Sequence, residues 1–169
     1  MPEEKWETKE RNTVYANLLM ELQENKVVTP SGTETTRNLI KMDSSLVVIA
    51  KDDSGNFYMT EDVRYATNKK SLEFINGGIS EEEDPEDAAE MKVDEELGIQ
   101  PQSVELIGEI YPFNSLIDSK AYILLAEGFA EQDTDELRKV DEESIEEVLA
   151  DEVSDALTLS AWAKYRANL

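Results

Sequence analysis

The segment NGGISEEEDPEDAAEMKVDEELGI, residues 76–99, constrains the fold more than any other part of the chain. Asp84 is a residue type that caps helices, and Pro85 is suited to the first helical position. Gly98 favours the left-handed conformation in which many helices end. We therefore expect a helix between Asp84 and Gly98, preceded by a loop that contains a pair of glycines.

The predicted helix has two different sides. Apolar residues at every fourth position form the side expected to be buried: Ala89, Val93 and Leu97. Lys92 lies three residues before Glu95 and four before Glu96, so these three side chains share another side of the helix. Neighbouring carboxylates beside a glycine loop suit a divalent cation and a pyrophosphate, whereas the lysine introduces a positive charge. At this spacing we expect Lys92 to form ion pairs with both glutamates.

The composition narrows the chemistry that this chain can perform. Its 169 residues include 39 acidic and 16 basic side chains, for a net charge of −23, and contain neither histidine nor cysteine. Histidine triads, His-rich zinc sites and disulfides are therefore excluded, and a metal would be held by carboxylates, which favour Mg²⁺ or Mn²⁺. The negative charge disfavours nucleic acid as a partner. No apolar run approaches the roughly 18 residues of a membrane span, so we expect a cytoplasmic protein.

Apolar runs in the middle of the chain predict strands. SLVVIA, residues 45–50, is typical of a buried strand, and NFYMTEDVRY, residues 56–65, predicts its partner in a hairpin. SLEFI, residues 71–75, predicts a short third strand that ends at the glycine pair. SVELIGEIYPF, residues 103–113, and AYILLAEGF, residues 121–129, predict two more strands.

The two ends of the chain are less regular. Residues 5–28 fit either strand or helix, and TPSG, residues 29–32, predicts a turn. EQDTDELRKVDEES, residues 131–144, predicts an exposed loop, IEEVLA, residues 145–150, a strand, and DALTLSAWAKYRANL, residues 155–169, an amphipathic helix. Strands covered by two helices predict an α/β sandwich.

Residues 77–99 resemble the Nudix box, whose pattern is G-x5-E-x7-R-E-U-x-E-E-x-G-U, with U an aliphatic residue. The matching positions are Gly77, Glu83, Val93, Glu95, Glu96, Gly98 and Ile99. Met91 and Lys92 stand where the family has Arg-Glu. In the family that glutamate is a principal metal ligand, and the arginine holds the carboxylates in place.

Three further segments resemble the ADP-ribose pyrophosphatase branch of this family. Residues 29–37, TPSGTETTR, resemble a turn of the branch's N-terminal β-lobe. Residues 63–78, VRYATNKKSLEFINGG, resemble the segment that leads into the Nudix box. Residues 111–129, YPFNSLIDSKAYILLAEGF, resemble a later loop and the strand that follows it. The resemblance implies a Nudix α/β/α sandwich with a mixed sheet over residues 44–169. It also implies a small antiparallel β-lobe over residues 1–43, through which relatives form homodimers.

The resemblance assigns roles to individual residues. The implied metal ligands are Asn76, Glu83, Glu95 and Glu96. The implied ligand-binding residues are Arg64 and Gly77 with Gly78, which contact phosphates, and Trp6, which stacks on adenine across the dimer in some relatives. A general base is expected in the acidic loop, at Glu142 or Glu143. A surface arginine, a packing tryptophan and a solvated acidic loop are the alternatives at these positions.

Lys92 leaves two functional classes open. Lys92 is expected to compete with metal ions for Glu95 and Glu96. Glu90 is not expected to replace the missing carboxylate, because it lies about 200° around the helix from position 92. The first class is therefore a Nudix hydrolase of a nucleoside diphosphate sugar with an impaired Mg²⁺ or Mn²⁺ site. The second class is a non-catalytic nucleotide-binding protein in which Lys92 contacts phosphate. A third, weaker alternative is an acidic interaction protein that binds no ligand at this site. The sequence does not decide between these alternatives and does not name the substrate.

Overall fold

The computed structural model describes residues 5–134 and 136–169 and divides the chain into two units. One unit is the chain up to Asp43 together with Tyr111–Ser119, and the other comprises Ser44–Ile110 and Lys120–Leu169. The sequence assigned residues 111–119 to the larger domain, whereas the structure groups them with the first unit. The reason is a strand pairing, in which Ile40 lies beside Ile117 and donates its N–H to Leu116 O over 2.9 Å.

The first unit is a five-stranded sheet. Its strands are β1 (Glu7–Glu10), β2 (Thr13–Ala16), β3 (Met20–Val28), β4 (Glu34–Met42) and β9 (Ile117–Asp118). Strands β3 and β4 form an antiparallel hairpin, β1 and β2 both pair with β3, and β9 runs parallel to β4. The segment for which the sequence left strand or helix open therefore forms strands.

The predicted turn at residues 29–32 joins β3 to β4. Gly32 donates its N–H to Thr29 O over 2.8 Å and has a φ of 85°. Glycine reaches this left-handed region without the steric penalty of a Cβ atom, which explains its position in the turn.

The second unit combines a six-stranded sheet with helices. Its strands are β5 (Ser44–Lys51), β6 (Phe57–Arg64), β7 (Lys69–Ile79), β8 (Ser103–Ile110), β10 (Ala121–Glu127) and β11 (Arg138–Val140). Its helices are α1 (Pro85–Leu97), α2 (Ile145–Asp151) and α3 (Ala156–Asn168). The strand order is β11-β6-β7-β5-β10-β8, and among the described strands of this sheet only the β5–β10 pairing is parallel. Within the described residues, no helix has the length and apolar character needed to cross a membrane.

Strand β5 contributes to two apolar layers because successive side chains of a strand point to opposite faces. On one face Leu46, Val48 and Ala50 belong to the buried cluster that contains Ala89 and Val93 of α1. On the other face Val47 and Ile49 belong to the cluster that contains side chains of α2 and α3, among them Ile145 and Ala161. The predicted α/β/α sandwich with a mixed sheet is therefore confirmed.

Two predictions about the second unit were wrong. Residues 145–150 are helical, because Ile145, Val148 and Leu149 recur at three- and four-residue spacing and are all buried on one side of α2. The acidic segment before them is not wholly an exposed loop: it contains the short strand β11, and Leu137 and Val140 are buried.

Strand β7 is longer than predicted. The sequence placed a short strand at residues 71–75, but the pairing with β5 continues through Gly77, opposite Leu46, and Gly78, opposite Ser45. The glycine pair therefore lies in extended backbone at the end of a strand. The loop that leads to α1 begins after Ile79.

Helix α1 begins and ends as the sequence predicts. The Asp84 side chain accepts hydrogen bonds from the backbone N–H groups of Glu86 and Asp87, Pro85 occupies the first turn, and Gly98 has a φ of 65°. The capping carboxylate also lies at the positive end of the helix dipole. These features fix the direction and the length of the helix that carries Lys92.

Replacing Asp84 with alanine is expected to lower the free energy of unfolding by about 1 kcal/mol, because two N–H groups of the first turn lose their acceptor. Urea denaturation of the two proteins measures this loss. Asp94→Ala is the matched control, since Asp94 is exposed within the same helix and caps nothing with its side chain. An equal loss in both variants would contradict the capping role.

Candidate functional site

Helix α1 presents Lys92 to the two glutamates that follow it. The Lys92 Nζ atom lies 3.1 Å from Glu95 Oε2 and 3.0 Å from Glu96 Oε1, so both predicted ion pairs are present. Burial disfavours the ammonium ion, but hydrogen bonds to Glu96 and Glu95 raise the pKa of Lys92 above its ordinary value. The side chain is therefore positively charged at neutral pH and occupies the space between two carboxylates.

The stem of Lys92 covers the backbone of Gly77. A Cβ atom added at Gly77 would lie 3.6 Å from both Cδ and Cε of Lys92. This is ordinary van der Waals contact, so the lysine stem packs over the glycine. Lys92 therefore bridges the two parts of the box that the sequence singled out, the glycine pair and the paired acids.

A cavity of about 280 Å³ opens beside the lysine, and we call it the Lys92 cavity. Its lining residues are Thr60, Glu61, Asp62, Arg64, Asn76, Lys92, Glu96, Glu136 and Leu137. Four of the residues to which the sequence assigned site roles, namely Arg64, Asn76, Lys92 and Glu96, are thus brought together. The lining is almost entirely polar, with four carboxylates against two cations.

Arg64 and Glu73 form a bidentate ion pair next to the cavity. Arg64 Nε donates to Glu73 Oε1 over 2.8 Å, and Arg64 Nη2 donates to Glu73 Oε2. Asn76 Nδ2 donates to the same Oε2 over 2.8 Å. Burial alone would raise the pKa of Glu73, but the hydrogen bonds from Arg64, Ser71 and Asn76 and the positive charge of Arg64 outweigh it and lower the pKa below its ordinary value.

The carboxylates of this site have a side-chain cation as their partner. Glu95 and Glu96 each pair with the lysine ammonium, and no group of three acidic side chains within residues 5–134 and 136–169 is placed to hold a metal. A carboxylate at position 92 would have completed such a group. The lysine instead supplies the positive charge itself.

Two other predicted metal ligands have different partners in the structure. Glu83 accepts hydrogen bonds from the backbone N–H and the hydroxyl of Ser80, each over 2.8 Å, and closes the turn before α1. Asn76 directs its amide N–H groups to Glu73 and to Phe74 O. The metal-binding roles of Glu83 and Asn76 stay predictions.

The candidate bases lie outside the Lys92 cavity. Glu142 pairs with Lys51 over 3.2 Å and lines a separate cavity of about 470 Å³ beside the turn at residues 52–55, and Glu143 is exposed. From the same acidic segment the structure brings Glu136 to the Lys92 cavity instead. Sequence reasoning missed Glu136, although its apolar neighbour Leu137 is a signal that this part of the segment packs against the sheet.

Trp6 belongs to the first unit. The guanidinium carbon of Arg37 lies 5.3 Å from the centre of its ring, in cation–π contact, and the tryptophan side chain is half exposed. Its stacking on an adenine across a dimer stays a prediction.

Gly78, assigned to phosphate contact by resemblance, pairs with Ser45 in the sheet of the second unit.

The separate cavity contains a buried carboxylate that organises the β5–β6 turn. Asp52 is 4% exposed and accepts hydrogen bonds from Ser54 N, Asn56 N, Asn56 Nδ2 and the Tyr58 hydroxyl, at 2.8 to 2.9 Å. Burial opposes its ionisation, but these donors outweigh that effect and lower the pKa of Asp52. Burial is also the main reason why the pKa of Tyr58 rises to about 12.

Replacing Asp52 with asparagine is expected to destabilise the protein most at neutral pH. Because the pKa of Asp52 is lower in the folded than in the unfolded chain, where it is about 3.9, its contribution is present above that pH. It is lost as the pH falls through the folded-state pKa. Urea denaturation from pH 7 to pH 2.5 should show a stability difference between the proteins that shrinks with acidity. A difference independent of pH would contradict the role of the charge.

Comparison with known proteins identifies the class. A model of the NUDIX domain matches residues 41–167, so this chain belongs to the Nudix family. A solved structure described as an ADP compounds hydrolase superposes with a TM-score of 0.80 over 98% of this chain and 94% of that chain, at 17% identity, and shows the same fold.

Within the family, the chain belongs to the ADP-ribose pyrophosphatase-like branch. It is 27% identical over 157 residues to an ADP-ribose pyrophosphatase of Bacillus subtilis (strain 168), covering 93% of this chain and 83% of that protein. It is 24% identical over 132 residues to an ADP-ribose pyrophosphatase of Mycobacterium tuberculosis (strain ATCC 25618 / H37Rv), covering 78% of this chain and 64% of that protein. A hydrolase of CMP-5'-(N-acetyl-N-hydroxy-3-aminopropyl)phosphonate from Streptomyces rubellomurinus (strain ATCC 31215) is 21% identical over 124 residues. This match covers 73% of this chain and 60% of that protein.

Proposed function

We propose that this protein binds a nucleoside diphosphate linked to another moiety, as in ADP-ribose, and hydrolyses it far more slowly than a Nudix protein with an intact metal site. The observation that carries the proposal is the Lys92 ammonium between Glu95 and Glu96, at 3.1 and 3.0 Å. A divalent ion would have to compete with this tethered cation for both carboxylates. The family relationship supports the ligand class, and the Lys92–glutamate pairs support the low rate.

A second candidate function is nucleotide binding without hydrolysis. The Lys92 side chain lines the cavity and packs over Gly77, where the resemblance places the pyrophosphate. In that case the ammonium supplies part of the positive charge that a metal ion provides elsewhere in the family. The two candidates share a ligand and differ in turnover, so one set of measurements separates them.

The test combines thermal shift with product analysis. ADP-ribose, added without Mg²⁺, is expected to raise the melting temperature, because a ligand at 100 times its Kd stabilises the folded state by about 2.7 kcal/mol. Adding Mg²⁺ should change this shift little. Slow formation of AMP and ribose 5-phosphate supports the first candidate, and binding with no product supports the second. Fast Mg²⁺-dependent turnover, or no response to any nucleotide tested, would overturn the proposal.

Homodimerisation through the first unit and a cytoplasmic location stay predictions. The described residues of the first unit include exposed apolar side chains, notably Val14, Leu18 and Leu19. Light scattering of the purified protein measures the oligomeric state directly.

A further inference from the structure

We propose that Glu73 is a positioning residue, which holds the Arg64 guanidinium in the wall of the Lys92 cavity so that Arg64 can take a phosphate of the ligand. This inference rests on the proposed function, because it needs a phosphorylated ligand in that cavity. It concerns a residue that does not line the cavity itself and acts through its neighbour.

The contacts of Glu73 restrain the guanidinium in position and in orientation. Both carboxylate oxygens accept from Arg64, one from Nε over 2.8 Å and the other from Nη2. Glu73 is 5% exposed, and Asn76 Nδ2 adds a third hydrogen bond over 2.8 Å. A bidentate pair with a buried, doubly anchored carboxylate leaves the planar arginine fork little freedom to rotate.

Arg64 keeps donors for a ligand after pairing with Glu73. A guanidinium has five N–H groups, and the bidentate pair uses two of them. The Asp62 carboxylate, at 4.0 Å from Nη2, is too far for a hydrogen bond. The Arg64 side chain is 42% exposed and lines the cavity, so the remaining donors are accessible to a bound anion.

The acidic lining explains why the arginine needs a restraint. The cavity wall contains four carboxylates besides Arg64 and Lys92: Glu61, Asp62, Glu96 and Glu136. An unrestrained guanidinium would pair with one of these exposed acids and present that pair to an incoming phosphate. Glu73 satisfies the Nε edge from the buried side and leaves the other edge for the ligand.

The experiment measures ADP-ribose affinity by calorimetry for wild type, Glu73→Gln, Arg64→Ala and the double variant. Glu73→Gln is expected to weaken binding about 10-fold or more, as for the loss of a charged hydrogen-bond arrangement. In the Arg64→Ala background the same change should have almost no effect, because Glu73 acts through Arg64. A purely structural Glu73 would instead weaken binding equally in both backgrounds.

Lys139→Gln is the matched control. Lys139 pairs with Glu131, and neither residue lines the cavity, so its loss should leave affinity unchanged. If Glu73→Gln does not fold, Arg64→Lys tests the same point, since lysine keeps the charge without the bidentate fork, and affinity should again fall. Unchanged affinity in either variant, or equal effects of Glu73→Gln in both backgrounds, would overturn the inference alone. Absence of ADP-ribose binding by the wild type would overturn the proposed function and this inference with it.

Discussion

Replacing Met91 with arginine and Lys92 with glutamate is expected to raise Mg²⁺-dependent hydrolysis of ADP-ribose by at least about 10²-fold. The double variant removes the ammonium that pairs with Glu95 and Glu96 and places a third carboxylate beside them. It also restores the arginine that holds these carboxylates in the family. Initial rates of AMP release at several Mg²⁺ concentrations give both the rate and the metal dependence.

Single changes separate the two contributions. Lys92→Gln frees the two glutamates without adding a ligand, so it should bind Mg²⁺ more tightly than wild type but less tightly than the double variant. Met91→Arg alone should change little, because Met91 is exposed and the lysine remains in place. A wild-type rate that equals the rate of the double variant would contradict the interpretation of Lys92.

Replacing Phe57 with alanine is expected to lower the free energy of unfolding by about 3–5 kcal/mol. Phe57 is fully buried and makes edge-to-face contacts with Trp162 and Tyr165 of α3, at 5.4 and 5.9 Å between ring centres. Its ring also lies 5.5 Å from the Lys51 ammonium. Truncation leaves a cavity between the sheet and α3 and removes all three interactions.

Tyr65→Ala is the matched control for this truncation. Tyr65 is fully exposed and directly follows β6, the strand that begins with Phe57, so its loss should change stability by less than about 0.5 kcal/mol. Urea denaturation of both variants at pH 7 gives the comparison. Similar losses in the two variants would show that the contacts of Phe57 with Trp162 and Tyr165 do not hold α3 on the sheet.

Local sequence was sufficient for the elements whose signals are local. The cap at Asp84, the left-handed Gly98 and the pairing of Lys92 with Glu95 and Glu96 depend on residues a few positions apart, and the structure has them as predicted. Helix α2 shows the limit of this reasoning. Its seven residues have apolar positions that suit a short strand or a short helix, and packing on the sheet decided for the helix.

The sequence by itself determined the family, the α/β class and the charge conflict inside the box, because residue types and their spacing carry that information. Only the tertiary structure decided which distant side chains share a cavity. It brought Glu136 rather than Glu142 to Lys92, joined Glu73 to Arg64 across two strands, and laid the Lys92 stem over Gly77. Such neighbours depend on strand register and on how loops return to the sheet, and no short-range pattern of residues encodes either.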